Sequence, residues 1–307
     1  VSSVTRKYSD TLPSMNLVAE IAPDFLIRFG AAKVMSRPGL GSLTPGVTVN
    51  VSGGARTVSG GNPNLDPIRA KTADLGFEWY FDEGAMLGLG LFYKDIDTFV
   101  QTTREVRSYA SSGLPAALLD GTGANVNDDF VFTVPVNTPG GPLKGFEISY
   151  QQTFSFLPSL LSNIGTQLNY THVESEIQYC VTATCAAFVT ADLVNLSPNA
   201  WNATLYYDDG KFNARVSAAY RDTYFQNVPG SNGATGLIPY QGKTETTTID
   251  ASASYNLTDN LSVSVEGLNL TDEANRQNHG DIGLPRDSTY VYHHTGRQVY
   301  IGARYRF

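Results

Sequence analysis

The feature that most constrains the fold is an alternation of apolar and polar residues, repeated in many separate segments. In the last eleven residues, 297–307, the odd positions from Val299 to Phe307 are apolar, whereas Gln298, Arg304 and Arg306 occupy even positions. Because successive side chains of a β-strand point to opposite faces, this period predicts a strand with one apolar and one polar face. Ten other segments repeat it, at 15–21, 25–31, 73–81, 87–93, 146–150, 164–170, 201–207, 212–218, 249–255 and 261–265. The sequence therefore predicts an antiparallel, all-β fold of about eleven strands.

The connections between these segments are alternately short and long. The short ones include 22–24, 82–85, 208–210 and 258–259, and the long ones are 36–70, 99–142, 176–198, 222–243 and 271–296. A soluble β-sandwich also alternates apolar and polar residues, but compact soluble domains rarely carry five structureless loops of this length. Transmembrane β-barrels have short turns on one side of the membrane and long loops on the other. This scheme requires 288–296 to be the tail of a loop or an extension of the last strand, and not a separate strand.

Composition agrees with a membrane barrel. Charged residues make up 16% of the chain, below the roughly 25% of a soluble domain. Apolar runs stay far below the roughly 18 residues of a membrane helix, which excludes that class and leaves a barrel open. The net charge of −8 and the lack of a basic stripe argue against nucleic acid as a partner. We therefore expect outer-membrane lipid to cover the apolar face.

An odd strand number has a consequence for closure. Single-chain bacterial barrels normally have an even number of strands, and an open edge in lipid leaves backbone groups unpaired at a cost of several kcal/mol each. We expect the eleven strands to be the C-terminal part of a longer barrel that begins before Val1. The alternative is a standalone barrel in which residues 3–8 supply a twelfth strand.

An ordered set of short motifs runs from about residue 12 to the end of the chain. It consists of 12–16 (LPSMN), 36–38 (SRP), 61–67 (GNPNLDP), 75–81 (LGFEWYF), 91–96 (LFYKDI), 143–147 (LKGFE), 169–171 (NYT), 269–272 (NLTD), 296–297 (GR) and 305–307 (YRF). In order and spacing this set resembles TonB-dependent outer-membrane receptors, especially the Xanthomonas/Caulobacter-type subfamily. The resemblance implies a 22-stranded barrel filled by an N-terminal plug, with residues 1–307 as the second half of the wall and the plug and the first half outside this chain.

The same resemblance implies active transport across the outer membrane of a Gram-negative bacterium. The TonB complex would act through the missing plug to release a scarce solute, first an oligosaccharide and next a siderophore or other metal chelate. No enzymatic activity, cofactor or metal site is expected. Two alternatives stay open: a passive porin or standalone small barrel, and a soluble β-rich binding protein.

Two sets of side chains are candidates for contact with the solute or the plug. In the long loops, aromatic rings can stack on sugars and arginines can hold carboxylates or an anionic chelate; these candidates are Arg37, Arg56, Arg107, Tyr109, Tyr224, Tyr240, Arg276, His279 and Tyr290. On the polar face of the strands, the residues expected to meet the plug or lumenal water are Arg28, Asp74, Glu78, Glu147, Arg215, Asp250, Glu266 and Arg304.

Cys180 and Cys185 lie close together in one polar segment. Outside a reducing cytosol such a pair is expected to form a disulfide; two free thiols are the alternative. Zinc would need four ligands, and neither a histidine nor a further cysteine is near enough in sequence to complete them.

Overall fold

The structure is a computed structural model that describes residues 4–181, 185–231, 237–238, 240–280 and 288–307. Its strands, in chain order, are β1 Ser14–Ala22, β2 Phe25–Ser36, β3 Val47–Asn50, β4 Thr57–Gly60, β5 Ile68–Asp82, β6 Ala85–Ser108, β7 Asp129–Thr153, β8 Ile164–Ser175, β9 Ile177–Cys180, β10 Phe188–Ala191, β11 Asn199–Asp208, β12 Phe212–Arg221, β13 Tyr224–Asn227, β14 Gly230–Ser231, β15 Leu237–Ile238, β16 Tyr240–Lys243, β17 Thr246–Asn256, β18 Leu261–Leu268, β19 Asn275–Gly280, β20 Ser288–His293 and β21 Gln298–Tyr305. Short 3-10 helices occupy Leu40–Leu43, Ser52–Gly54, Tyr109–Ser112, Ala116–Leu119 and Ser159–Asn163. Within the described ranges, no helix has the length and apolar character needed to cross a membrane.

Eleven strands form the continuous path of a 13-stranded sheet, and we call this path the wall. Off the path, β3 pairs with β4, and β4 pairs with β7. The strand order of the wall is β1-β2-β5-β6-β7-β8-β11-β12-β17-β18-β21, and all neighbours along this path are antiparallel. These are the eleven segments that the alternation predicts, so the antiparallel all-β prediction is confirmed. The wall does not close: among the described residues, β1 and β21 each pair with one neighbour only.

The two faces of the wall differ as the sequence predicts. One register row consists of Phe29, Leu75, Leu91 and Phe146, and the row beside it, on the other face, of Arg28, Gly76, Gly90 and Glu147. On the first side, here the apolar face, Leu205 is 55% exposed and Ile301 is 87% exposed. An exposed apolar surface of this extent marks contact with another apolar phase, and the remaining side is the polar face.

Two belts of aromatic side chains border the apolar face. The upper belt, next to the long connections, contains Tyr93, Phe146, Tyr170, Trp201 and Tyr220; the lower belt, next to the short turns, contains Trp79, Phe81, Tyr150, Tyr305 and Phe307. The rings of Trp201 and Tyr220 stack at 5.9 Å in the upper belt, and those of Phe81 and Tyr150 at 6.2 Å in the lower. Aromatic girdles on both sides of an apolar band are typical of membrane barrels.

The structure corrects two predictions about the long connections. Residues 99–142 are not structureless, because the ladder of β6 and β7 continues up to the pair Ser108 and Asp129. The prediction that 288–296 contains no separate strand is wrong, since Ser288–His293 forms β20. β20 pairs with β19 in a separate sheet of order β13-β16-β19-β20, which we call the loop sheet. It lies outside the wall, so the strand directions in the wall are unaffected. The alternative twelfth strand at 3–8 is not seen in residues 4–8, and residue 3 lies outside the described residues.

The buried apolar side chains lie mainly in the long connections and not in the wall. The first loop core contains Val58, Tyr109, Leu119, Phe130 and Phe132. The second loop core contains Ile177, Tyr179, Ala191 and Val228. A wall that is bathed by lipid on one face needs no core of its own, whereas loops in water must bury apolar surface to be ordered.

Candidate functional site

The long connections share one end of the wall because neighbouring strands run in opposite directions. Those after β2, β6, β8, β12 and β18 all emerge beyond the upper belt. Together they form a layer in which the candidate recognition residues lie. The structure divides that layer into the two loop cores and the loop sheet.

The first loop core uses three of the candidates internally. Tyr109 is 0% exposed, and its hydroxyl donates to the Pro115 carbonyl at 3.0 Å. Arg107 places its guanidinium 4.0 Å from the centroid of the Phe132 ring, and Arg56 pairs with Asp128 at 3.0 Å. Tyr109 therefore packs the loop and presents no surface to a ligand.

The second loop core is organised by a buried glutamine that the sequence does not single out. Gln101 is 4% exposed, and its amide donates to the carbonyls of Cys180 at 2.9 Å and Val228 at 3.1 Å. Its side-chain oxygen accepts the Cys180 N–H at 2.7 Å. One side chain thus joins three connections through backbone groups, which would be costly to leave unpaired in a buried position.

The cysteines lie at the tip of the adjacent β9–β10 hairpin. The structure has a disulfide between Cys180 and Cys185, with the two Cα atoms 4.7 Å apart. Beneath it the Tyr179 hydroxyl donates to the Asp192 carbonyl at 3.0 Å and accepts the Val194 N–H at 2.9 Å. Burial raises the pKa of Tyr179 to about 12 and also raises the pKa of the Asp192 carboxyl. Tyr179 is therefore a neutral structural anchor.

The loop sheet brings together five of the nine candidates: Tyr224 on β13, Tyr240 on β16, Arg276 and His279 on β19, and Tyr290 on β20. Register assigns them to two faces. Tyr224, Lys243 and Gln277 lie in one row, and Gln241 pairs with His279 two positions along. Tyr290 joins this side, because its ring packs 5.6 Å from that of His279 and its hydroxyl donates to Gln277 at 2.9 Å.

This side, which we call the recognition face, is formed by Tyr224, Gln241, Lys243, Gln277, His279 and Tyr290. It combines three aromatic rings, two amides and one cation, and Tyr290 is 42% exposed. Flat rings provide stacking area, and the amides and phenols provide hydrogen bonds that fix orientation. Such a surface can bind a ligand without performing covalent chemistry on it.

The opposite face of the loop sheet holds Tyr240, Arg276 and Tyr292. Tyr240 is partly buried and packs edge-on against Phe225 at 5.1 Å, next to the second loop core. Tyr292 stands directly opposite Arg276 in the ladder and is 56% exposed. The sequence analysis missed Tyr292. Strict alternation around Val291 would place Tyr290 and Tyr292 on the same face, but the register shifts between Gln277 and Asn278, and this irregularity puts Tyr290 on the side of His279. Arg37 belongs to neither face, and lies 5.9 Å from the Tyr8 ring.

On the polar face of the wall, two predicted residues form an ion pair. Arg28 donates to both carboxylate oxygens of Glu78, at 2.7 Å and 3.1 Å, and the Tyr80 hydroxyl donates to the same carboxylate at 3.0 Å. Asp74 and Glu147 line an open groove of about 510 Å³ together with Arg28. Four of the eight predicted polar-face residues therefore lie close together.

The other four are spread over the last strands. Arg215 donates to the Ser217 hydroxyl at 3.0 Å, and Asp250 accepts the Asn269 N–H at 2.8 Å. Glu266 stands opposite Tyr300 in the ladder. Arg304 lines a cavity of about 730 Å³ at the lower end of the wall. Lys211 and Arg306 also line this cavity, which gives it a basic character.

Comparison with known proteins agrees with this geometry. A sequence model described as "TonB dependent receptor-like, beta-barrel" matches residues 2–270, and no curated protein matches the chain significantly. Among solved structures, a mutant of the ferric enterobactin receptor of Pseudomonas aeruginosa superposes with a TM-score of 0.61 at 17% identity, covering 96% of this chain and 40% of that one. The siderophore receptors PirA and PiuA of Acinetobacter baumannii give TM-scores of 0.59 and 0.57 at 19% and 16% identity, again over 96% of this chain and over 41% and 35% of theirs.

The chain thus spans about 40% of the length of the solved structures that it matches. At these identities the structures show the fold, and the sequence model, which covers most of the chain, shows the family. The chain belongs to the TonB-dependent receptor β-barrel family, whose members are β-barrels of the Gram-negative outer membrane.

Proposed function

We propose that residues 1–307 are the C-terminal part of the wall of a 22-stranded TonB-dependent transporter. The observation that carries this proposal is the odd number of wall strands. With eleven antiparallel strands, β1 and β21 run in the same direction. The two edges cannot pair antiparallel with each other, nor can β1 of one copy pair antiparallel with β21 of an upright second copy. An odd number of further strands between the two edges would give both β1 and β21 an antiparallel neighbour and would close the barrel.

In the complete protein the wall would serve energised transport. The family consists of transporters and not of enzymes. A plug would occupy the lumen against the polar face, with the groove of Arg28, Asp74 and Glu147 among its contacts. TonB would pull on that plug to release the solute, using the proton gradient of the inner membrane.

Energy dependence separates this function from passive diffusion. Cells that carry the complete gene are given a labelled solute with and without a protonophore. Uptake should stop with the protonophore while binding at the cell surface continues. Uptake that continues unchanged would favour the porin alternative.

For the solute, we propose a metal chelate of the siderophore type before an oligosaccharide. The sequence resemblance to the Xanthomonas/Caulobacter-type subfamily favours the sugar, but the solved structures compared above are siderophore receptors. The recognition face suits an anionic chelate, since Lys243 lies directly opposite Tyr224 on it. A neutral oligosaccharide would use the rings and amides and would gain no charge–charge attraction from the cation.

Tyr290→Ala and Tyr292→Ala form a matched pair of variants for this test. Both residues are exposed tyrosines of β20, but they contact opposite faces of the loop sheet. Surface binding of ferric chelates and of labelled oligosaccharides is measured on cells. Loss of chelate affinity by about tenfold in Tyr290→Ala, with little change in Tyr292→Ala, is expected for loss of one stacking ring with its hydrogen bond. The same loss for an oligosaccharide, with no chelate binding, would reverse the order of substrates.

A further inference from the structure

The loop sheet repeats the strand order of the wall beneath it. Its order is β13-β16-β19-β20, and along the chain these strands adjoin β12, β17, β18 and β21, separated only by the short intervals 222–223, 244–245, 269–274 and 294–297. In the wall, β12, β17, β18 and β21 are consecutive neighbours in that same order. The loop sheet therefore continues the last four wall strands upward, and β20 lies above β21, at the open edge of the wall.

The two edges of the loop sheet are not alike. The edge at β13 is covered, because the Asn195 N–H donates to the Phe225 carbonyl at 2.6 Å and Phe225 packs against the second loop core. In the described part of the chain, the backbone of β20 forms hydrogen bonds with β19 only. The segment 288–293 (STYVYH) also contains neither lysine nor proline, two residues that often keep a sheet edge from pairing. The edge above β21 is thus open to a further strand.

We infer that β20 pairs with an added strand, which is the upward extension of the strand that stands next to β21 in the complete receptor. This inference rests on the proposed function, because that strand belongs to the part of the wall outside residues 1–307. β20 and β21 both run downward, since each is antiparallel to an upward neighbour. A strand that rises beside β21 therefore reaches β20 already in the antiparallel orientation. Main-chain hydrogen bonds along an open edge are the usual means of adding a strand.

The length that such a strand requires has precedents in this wall. A strand that flanks both β21 and β20 covers the range 288–305. β6 and β7 are longer still, with 24 and 25 residues, and their ladder continues from the wall into the loop layer. An extended strand at the seam between the two parts of the barrel would thus follow a pattern already present in this chain.

The added strand would complete the recognition face. Tyr290 lies on β20, on this face, and is 42% exposed. Because side chains alternate between the two faces of a sheet, every second side chain of the added strand would stand beside Tyr290 on the recognition face. The binding site for the solute is then shared between residues 1–307 and a strand that precedes them.

Hydrogen exchange of the complete receptor, resolved to single amides, tests the pairing. On an unpaired edge about half of the amides in 289–293 would point to water and exchange about tenfold or more faster than those of β19, which is paired on both sides. We expect all of them to exchange as slowly as those of β19. Fast exchange in β20 with slow exchange throughout β21 would overturn this inference and leave barrel closure intact. Fast exchange of alternate amides in both strands would refute closure as well.

Photo-crosslinking identifies the added strand. A benzoylphenylalanine takes the place of the exposed Thr289 on β20 in the complete receptor, and its matched control takes the place of the exposed Asn227 on β13. The probe at Thr289 should crosslink to a peptide that precedes Val1, whereas the control should crosslink within residues 1–307. Crosslinks from Thr289 that stay within residues 1–307, that join two receptor molecules, or that fail to form while the control reacts would each overturn the inference.

Discussion

Leu205 provides a direct test of which face of the wall meets lipid. It lies on β11 between Trp201 of the upper belt and the lower end of the strand, it is 55% exposed, and its ladder partners are Thr166 and Val216. The perturbation is Leu205→Arg. Asn202→Arg on the same strand is the matched control, because Asn202 is also exposed but belongs to the polar face.

The magnitude follows from the location. An arginine near the middle of the lipid face of a barrel costs about 2–4 kcal/mol. Full burial of a leucine is worth about 1.5–3 kcal/mol, so removing the half-exposed Leu205 side chain from lipid adds about 1 kcal/mol. Leu205→Arg should therefore lower the free energy of unfolding by about 3–5 kcal/mol. Asn202→Arg, in water or against polar groups, should change it by less than about 1 kcal/mol.

The assay is equilibrium unfolding of the complete receptor in lipid vesicles by guanidinium chloride, followed by tryptophan fluorescence and by gel mobility without heating. The two variants are compared at the same lipid composition. Equal destabilisation by both arginines, or none by Leu205→Arg, would refute the assignment of the apolar face to lipid. A larger cost for Asn202→Arg would mean that the faces are reversed.

Three further outcomes are expected in the loop layer. Gln101→Leu should break the hydrogen bonds to two connections and speed hydrogen exchange of the Cys180 amide at least tenfold, without change in the wall; unchanged exchange would contradict the anchoring role. Replacing both Cys180 and Cys185 by serine opens a six-residue loop, whose closure is worth about 2 kcal/mol, and should increase proteolysis within 177–191 only. Two hydrogen bonds from Arg69 lower the pKa of the Asp10 carboxyl below its ordinary 3.8. The stabilisation from this tie between Arg69 and Asp10 is therefore fully present above pH 3.8, and it is lost as the pH falls through the lowered pKa of Asp10 in the folded protein. Pepsin cleavage within 4–13 should therefore rise only in strong acid, and a rise already near pH 5 would count against this tie.

The wall could be predicted from sequence because its pattern is local. Each strand of the wall has an apolar environment on one face and a polar environment on the other. Alternation alone therefore identifies the strand and assigns its residues to the two faces, with Leu91 on the apolar face and Gly90 on the polar face. The extended parts of β6 and β7 escaped prediction for the same reason. Beyond the upper belt the covered face of the extension of β6 buries polar residues such as Gln101 and Thr103, whereas Val106 is 48% exposed. Residue type therefore no longer follows burial, and the apolar–polar alternation disappears from the sequence.

The candidate site could be predicted only in part. Five of the nine loop candidates lie on the loop sheet, but residue type does not distinguish an exposed ring from a packed one. Tyr290 is 42% exposed whereas Tyr109 is 0% exposed, and the difference comes from contacts with residues distant in sequence. The ladder between β16 and β19 joins segments more than thirty residues apart, which no local pattern encodes.

The two loop cores have a consequence for how such a receptor can change its ligand. Because they bury their own apolar side chains outside the membrane, the connections are small folded bodies mounted on a passive support. Exposed positions such as Tyr290 can vary without opening a loop core, while Val228 or Phe130 cannot vary alone. New specificity is then most readily acquired by exchanging a whole connection together with its core, a modular transplant that leaves the lipid-facing wall untouched.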